Sequence, residues 1–129
     1  DQDYSEILEA IRLGRKKYRK RFLVSKGAAW FKLGAEEIAF FCSENRVTTA
    51  VTFQNRNHII NMTLENLEDE LDPEEFFRAN RQAIINIGAI KKIENYFGGK
   101  LKVRMNPPYP GDLVISRLKA MAFKQWVGK

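Results

Sequence analysis

The feature that most constrains this chain is a repeated alternation, from Phe22 onward, of short apolar runs with turn-forming residues. The runs are rich in β-branched and aromatic residues, and the turn signals recur about every 8–12 residues, as in domains built from short strands. Five runs precede residue 63, and they occupy positions 22–25, 28–33, 38–43, 47–53 and 58–62. The spacing predicts a mainly β domain, and a hydrophobic content of 44% is enough to give it a core.

The C-terminal half adds strands of the same kind. The segment LKVRM (101–105) alternates apolar and basic residues, which predicts a half-buried strand with a basic outer face. We expect a connection and a strand within 87–97, a hairpin turn at Gly98-Gly99, and a last strand at 113–115. The prolines of the loop 106–111 exclude a central strand there.

Short helices are predicted near 4–13, 63–71 and 117–127. Their apolar residues recur at spacings of three and four, so in each helix they share one face, which should be buried in the helix 63–71 and can pack inward in the helix 117–127. In chain order the expected stripes are Ile7, Leu8 and Ile11; Leu64, Leu67 and Leu71; and Leu118, Met121, Ala122 and Trp126. Ser116 is a natural N-cap for the last helix. The segment Asp72-Pro73-Glu74-Glu75 should form a further helical turn that leads into Phe76.

The aromatic residues of the strands have two interpretations. Readers of single-stranded RNA present aromatic side chains on an open sheet face. A position in the core explains the aromatic residues of this chain better, and we expect it for Phe22, Trp30, Phe40, Phe41 and Phe53.

Charge is unevenly distributed along the chain, whose net charge is +6. Residues 63–75 contain seven acidic residues and no basic one, whereas residues 76–129 contain 11 basic and two acidic residues. A basic half favours a polyanionic partner, either nucleic acid or an anionic membrane surface, although solubility alone also explains it. The acidic segment should lie away from such a polyanion. The basic run RKKYRKR (15–21) is either a phosphate-binding segment or a solvated linker.

The segment FFRANRQAIIN (76–86) carries the most informative side chains. Its apolar ends can fix it to a core, while arginines and carboxamides occupy its middle. Guanidinium and carboxamide groups fit phosphates and the edges of bases. The alternative is an amphipathic turn whose arginines extend to water.

The motifs of common enzymes and metal sites are missing from the sequence. It has no GxxxxGKS, GxGxxG or GxSxG segment, one histidine (His58) and one cysteine (Cys42). Adjacent Glu36 and Glu37 fit a solvated turn better than a catalytic pair. We therefore predict no catalytic residues, no cofactor and no metal, and hence a binding protein.

Several features bear on location. No run of about 18 apolar residues predicts a membrane span, and residues 1–20 lack the pattern of a signal peptide. A lone cysteine favours a reducing cytoplasm. Because the chain begins with Asp1, we expect it to be part of a longer protein.

With these elements in place, the chain resembles the LytTR DNA-binding domain of bacterial response regulators. The matching segments occur in the family's order: EEIAFF (36–41), LENLEDELDPEEFFRANRQAIIN (64–86), AIKKI (89–93) and VISR (114–117) with the closing helix. The resemblance covers roughly residues 22–127. It implies a β-β-β sandwich of stacked small antiparallel sheets whose loops enter successive major grooves. It also implies transcription regulation, as the output domain of a two-component phosphorelay response regulator.

By position, the resemblance implies specific contacts to double-stranded DNA. The residues implied to contact bases are Asn45, Arg46, Asn80, Arg81 and Arg117, and those implied to contact phosphates are Arg78, Gln82 and Lys119. The chain departs from the family where Asn80 replaces the usual histidine and Gln82 the usual serine. These departures alter the expected base preference, because asparagine and histidine present different donors.

The resemblance also implies an organisation and partners. Residues 1–21 would be a linker helix and basic segment after a receiver domain, and residues 22–129 the DNA-binding domain. Direct repeats in the DNA and a homodimer formed on it are further expectations. The competing interpretation is a basic β module that binds an anionic membrane surface or a protein partner.

Overall fold

A five-stranded antiparallel sheet lies between two smaller antiparallel sheets in the computed structural model, which describes residues 4–8 and 17–129. The first small sheet pairs β1 (Arg21–Lys26) with β2 (Ala29–Gly34). The central sheet has the order β5-β4-β3-β7-β6, and its strands in chain order are β3 (Ile38–Glu44), β4 (Val47–Thr52), β5 (Asn57–Ile60), β6 (Phe76–Asn80) and β7 (Ala83–Asn86). The last sheet has the order β10-β9-β8, with β8 (Ile90–Asn95), β9 (Leu101–Met105) and β10 (Leu113–Ile115).

Both faces of the inner strands β3 and β7 are buried, because a small sheet covers each face. Neighbouring residues of a strand point to opposite sides and so enter different cores. Phe41 and Ile84 pack against the first small sheet, whereas Phe40 and Ile85 pack against the last sheet. This double burial explains why the runs IAFF and AII are continuously apolar. The prediction of a mainly β fold of stacked small sheets is confirmed.

The segment 76–86 forms two strands joined by a turn, which the sequence did not predict. Its apolar ends are β6 and β7, and the turn consists of Arg81 and Gln82. A bulge between Arg78 and Asn80 interrupts the pairing of β6 with β7. The polar middle of the segment thus lies at one edge of the central sheet.

Two helices flank the sheets. The acidic helix (Leu64–Glu70) begins at Thr63, whose side-chain oxygen accepts a hydrogen bond of 3.1 Å from the amide of Asn66. The C-terminal helix (Arg117–Val127) begins at Ser116, which caps the amide of Lys119 at 3.3 Å. Both helices lie close to their predicted bounds, since capping residues mark where helices start.

The remaining helical predictions are met in part. Residues 4–8 are helical, and positions 9–13 of that prediction lie outside the described residues. The segment 72–75 forms the expected turn: the amide of Phe76 donates to the carbonyl of Asp72 at 2.9 Å. No helix in the described ranges combines the length and apolar composition that a bilayer crossing requires.

The predicted buried stripe of the C-terminal helix is partly wrong. Leu118 and Met121 are 89% and 72% exposed, and Ala122 is also exposed, whereas Phe123 is fully buried. Trp126 does face inward, as predicted, and its indole N–H donates to the carbonyl of Pro73 at 2.7 Å. This helix carries apolar residues on two faces, and periodicity alone does not select between them.

The core assignment is wrong for two aromatic residues. Phe22, Phe40 and Phe41 are buried as expected, but Trp30 and Phe53 are 67% and 41% exposed. Trp30 pairs with Ser25 near the hairpin end of the first small sheet, beyond the part of β2 that packs on the central sheet. A two-stranded sheet covers one face only, so its outer residues stay in solvent.

Candidate nucleic-acid interface

The β3–β4 turn presents Asn45 and Arg46 at the edge of the central sheet. Glu44 and Val47 pair across it, and Asn45 and Arg46 have positive φ angles of 52° and 65°. Positive φ at both central residues is the type I′ geometry that suits the twist of a two-residue hairpin. Both side chains are exposed at the tip of this turn.

The β6–β7 turn presents Arg81 in the same way. The side-chain oxygen of Asn80 accepts a 2.8 Å hydrogen bond from the amide of Gln82, which closes the turn as an Asx-type contact. Arg81 and Gln82 are both exposed.

Strand pairing brings these two turns together. β3 and β7 are neighbours, with Cys42 opposite Ala83, and the amide of Ser43 donates to the carbonyl of Gln82 at 2.8 Å. Arg46 and Arg81 consequently line one surface depression, here called the first hollow, together with Ser43, Thr63 and Glu65.

The start of the C-terminal helix forms the third part of the surface. A Cβ atom at Gly99 would lie 2.9 Å from Cγ of Arg117, so the glycine at φ +78° leaves room for the arginine stem. Ser116 and Lys119 line a second hollow together with Asn80, Arg81 and Lys100. Arg81 therefore borders both hollows, and Arg117 directly follows Ser116, which lines the second hollow.

Arg46, Arg81 and Arg117 are exposed and unpaired within the described residues: none of them forms an ion pair or donates a side-chain hydrogen bond there. Their guanidinium groups thus retain all their donors for a ligand. Lys100, in the second hollow, was not predicted as a site residue. Its position directly after the Gly98-Gly99 turn was the sequence feature that could have indicated an exposed basic residue at this surface.

Arg78, in contrast, is engaged inside the protein. Its guanidinium donates to the carbonyls of Asn80 and Arg81 at 2.7 and 2.9 Å, and to Glu68 and Glu65 at 3.0 and 3.3 Å. Only 12% of its side chain is exposed. Its predicted contact with phosphate stays a prediction, but the bonds it makes hold the β6–β7 turn against the acidic helix.

The acidic helix lies beside this surface. Glu65 borders the first hollow and Glu68 the second. Arg78 pairs with both carboxylates, which compensates their charge locally. A hydrogen bond from its own backbone amide, followed by the one from Arg78, holds the pKa of Glu65 below its ordinary value.

The predicted polar residues differ in how they are placed. The carboxamide of Asn80 uses its oxygen on Gln82 and its nitrogen on the carbonyl of Val114, at 3.2 Å. The ammonium of Lys119 donates to the carbonyl of Arg78 at 3.1 Å and remains exposed. Gln82 is engaged through its backbone, and its side chain extends into solvent.

The described residues contain no group of three or more His, Cys, Asp and Glu side chains that could hold a metal ion. Cys42 is half-buried on β3. Burial, reinforced by the charge of Glu44, raises the pKa of its thiol. The thiol is therefore protonated at neutral pH.

Comparison with known proteins identifies a related family. The sequence model of the LytTr DNA-binding domain matches residues 28–128. The chain is also similar to an uncharacterized response regulatory protein of Vibrio cholerae serotype O1, at 23% identity over 105 residues. That alignment covers 79% of this chain and 40% of the Vibrio protein, so the chain spans about two fifths of the length of this relative.

The fold has a counterpart among solved structures. It is similar to the LytTr DNA-binding domain of a Bacillus cereus protein described as a methyl-accepting/DNA response regulator, with a TM-score of 0.72. The match covers 86% of this chain and 99% of the Bacillus chain, at 16% sequence identity. At that level of identity the likeness concerns the fold.

Proposed function

Since the chain belongs to the LytTR family of DNA-binding domains, we propose that it reads double-stranded DNA with two arginine-bearing turns and the start of the C-terminal helix inserted in the major groove. The observation that carries this proposal is the placement of Arg46, Arg81 and Arg117. All three are exposed and unpaired within the described residues. Arg46 and Arg81 border the first hollow, and Arg117 follows Ser116, which lines the second.

Their chemistry supports direct reading of bases. A guanidinium donates two parallel hydrogen bonds to O6 and N7 of guanine, and such a pair contributes about 1–3 kcal/mol of discrimination. The carboxamide of Asn45, at the tip of the β3–β4 turn, suits adenine in the same way. A rigid β scaffold is needed to hold such turns in register.

Phosphate contacts would set the position of the domain on the duplex. Lys119 and Gln82 have exposed polar groups next to the arginines and fit this role. We also assign phosphate contact to Arg78, through the part of its guanidinium that remains exposed, in addition to its role in holding the turn.

At the scale of the whole protein, we propose transcription regulation as the output domain of a cytoplasmic two-component response regulator. The relative in Vibrio cholerae is named a response regulatory protein, which supports this proposal. In the full-length protein that contains this chain, an upstream receiver domain would control binding to direct repeats in the DNA. Two copies of the DNA-binding domain would assemble there as a homodimer.

Selection from a random duplex pool, followed by binding measurements on the enriched site, tests the proposal. Arg81→Ala and Arg117→Ala should each weaken binding to the selected site by roughly tenfold or more, since each removes a base-specific pair. Arg104→Ala is the matched control, because Arg104 donates to Glu94 at 2.7 Å on the last sheet and borders neither hollow.

Arg81→Ala and Arg117→Ala should unfold at the temperature of the parent chain, since both side chains are exposed and unpaired within the described residues. If both variants bind the selected site as tightly as the parent chain, the assignment of base contacts is wrong. If the parent chain enriches no sequence at all, specific DNA reading itself is wrong.

One observation favours a second candidate function. Leu23, Trp30 and Ile59 are exposed around a groove that Lys26, Lys32 and Arg56 also line. Apolar side chains bordered by basic ones fit an anionic membrane surface. Flotation with vesicles containing anionic lipid tests this: co-flotation that Trp30→Ala abolishes would favour the membrane, and its absence would leave DNA as the partner.

A further inference from the structure

Asn80 links the β6–β7 turn, which carries Arg81, to β10, which leads to Arg117 at the start of the C-terminal helix. Its oxygen accepts from the amide of Gln82 at 2.8 Å, inside the β6–β7 turn. Its nitrogen donates to the carbonyl of Val114 at 3.2 Å, three residues before Arg117. The side chain is partly buried, and its contacts with protein use both ends of the carboxamide.

This link joins two separate sheets. Asn80 lies at the end of β6 in the central sheet, whereas Val114 lies in β10 of the last sheet, and these strands share no backbone ladder. Lys119 adds a second link of the same kind, since its ammonium donates to the carbonyl of Arg78 at 3.1 Å. Two side-chain hydrogen bonds therefore bridge the end of β6 and the segment around Arg117.

Two bonds to protein fix the orientation of the Asn80 carboxamide. An asparagine recognises adenine with its oxygen and its nitrogen together, at N6 and N7. The carboxamide keeps one further donor and one further acceptor, but turning it toward a base would break both bonds and leave the turn amide and the Val114 carbonyl without their partner. Such a rotation would disrupt the turn that presents Arg81.

We propose that Asn80 is a positioning residue, which fixes the distance between Arg81 and Arg117 and makes no base contact of its own. This inference rests on the proposed reading of DNA by those two arginines, and it revises the expectation that Asn80 contacts a base. Base preference depends on this residue because two guanidinium groups must meet their base pairs at the same time.

Asn80→Ser separates the two contacts of the side chain. A serine hydroxyl can still accept from the amide of Gln82, as in an ST-turn, but it is too short to reach Val114. Asn80→Asp keeps the shape and the acceptor and replaces the donor facing Val114 with an oxygen, so it serves as a second variant if the serine variant fails to fold. Asn95→Ser removes an exposed carboxamide that borders neither hollow and is the control.

Two measurements on these variants test the inference. In the DNA-free chain, Asn80→Ser should shift the amide NMR signals of residues 114–117 as well as those of the β6–β7 turn. On DNA, it should weaken binding to the selected site by roughly fivefold and leave binding to random duplex within about twofold, because phosphate contacts remain. Selection should show relaxed preference at the same base pairs that Arg81→Ala and Arg117→Ala relax.

Two results would overturn the inference. A base pair that loses preference in Asn80→Ser but in neither arginine variant would identify Asn80 as a base reader and overturn the inference. Unchanged signals at 114–117 in the DNA-free variant would overturn it as well. If the parent chain itself selects no sequence, the proposed function fails. The NMR comparison then still decides whether Asn80 couples the β6–β7 turn to residues 114–117.

Discussion

Arg78 and Arg81 lie three positions apart and carry the same functional group, yet their guanidinium groups have opposite surroundings. Arg78 lies within β6 and donates to two carbonyls and two carboxylates, whereas Arg81 lies in the turn and faces solvent. The sequence identified both as candidate ligand contacts because residue type alone reports a donor and not its acceptor. The acceptors of Arg78 come from the acidic helix, and only the folded chain brings them near.

Arg78→Met should raise the pKa of Glu65 toward its ordinary value of 4.5. The backbone hydrogen bond of Glu65 remains, so the return should be incomplete. NMR titration of side-chain carboxyl signals measures this change. Glu94 is the internal control, because the hydrogen bond from Arg104 lowers its pKa and should be unaffected.

The lowered pKa of Glu65 also determines the direction in which the stability of the fold changes with pH. A folded-state pKa below the unfolded value means that the interaction stabilises the fold above about pH 4.5 and is lost as pH falls through the folded pKa. Arg78→Met should therefore reduce the loss of stability on acidification. An unchanged pKa of Glu65 in this variant would show that Arg78 does not stabilise that carboxylate in solution.

At the scale of elements, the C-terminal helix shows that hydrophobic periodicity predicts a helix but does not always predict which of its faces is buried. Its sequence RLKAMAFKQWV satisfies a spacing of three and four on more than one face. The stripe that packs inward is Ala120, Phe123, Trp126 and Val127, because Phe77 and the last sheet offer an apolar surface there. The sequence could not show which neighbour the helix would meet, whereas its start at Ser116 depended on a local cap and was predicted correctly.

Phe123→Ala should lower the free energy of unfolding by about 3–5 kcal/mol, the usual cost of removing a buried phenylalanine. Its ring is fully buried and makes an edge contact with Phe77 at 5.3 Å between centroids. Leu118→Ala, on the exposed face of the same helix, should change it by about 0.5 kcal/mol or less. Urea denaturation distinguishes the two, and similar losses in both variants would contradict the observed orientation.

For the whole molecule, the mainly β class and the stacked sheets were predictable because each strand carries its own pattern of apolar residues and turns. Which elements lie next to each other in space could not be predicted from these patterns. The acidic segment was expected to lie away from a polyanion on grounds of charge, and the sequence did not predict that the pairing of Arg78 with Glu65 and Glu68 brings it beside the arginine surface. Contacts between residues distant in sequence decide such arrangements.

The basic run at 15–21 belongs to this scale, because its effect on a polyanion is long-ranged. Within the described residues, Arg19 is held by Glu70 at 2.7 Å, whereas Lys20 and Arg21 are exposed without an ion pair. The double variant Lys20→Gln, Arg21→Gln should flatten the slope of log K against log salt by about 0.9 for each phosphate that the variant no longer neutralises. The flattening should be the same on the selected site and on random duplex.

Lys91→Gln is the matched control for this measurement, since Lys91 is an exposed lysine of β8 that borders neither hollow. A drop in affinity confined to the selected site would contradict the prediction, because it would give the basic run a part in reading sequence.

The hydrogen bond between the indole of Trp126 and the carbonyl of Pro73 has a practical consequence. The chain contains two tryptophans, and the other, Trp30, stands in solvent at the far small sheet. We therefore expect their fluorescence to differ in emission wavelength and in accessibility to quenchers such as iodide. Trp126 is an intrinsic optical probe of whether the last helix is seated beside the strand that leads to Arg81, and no label is needed to follow it.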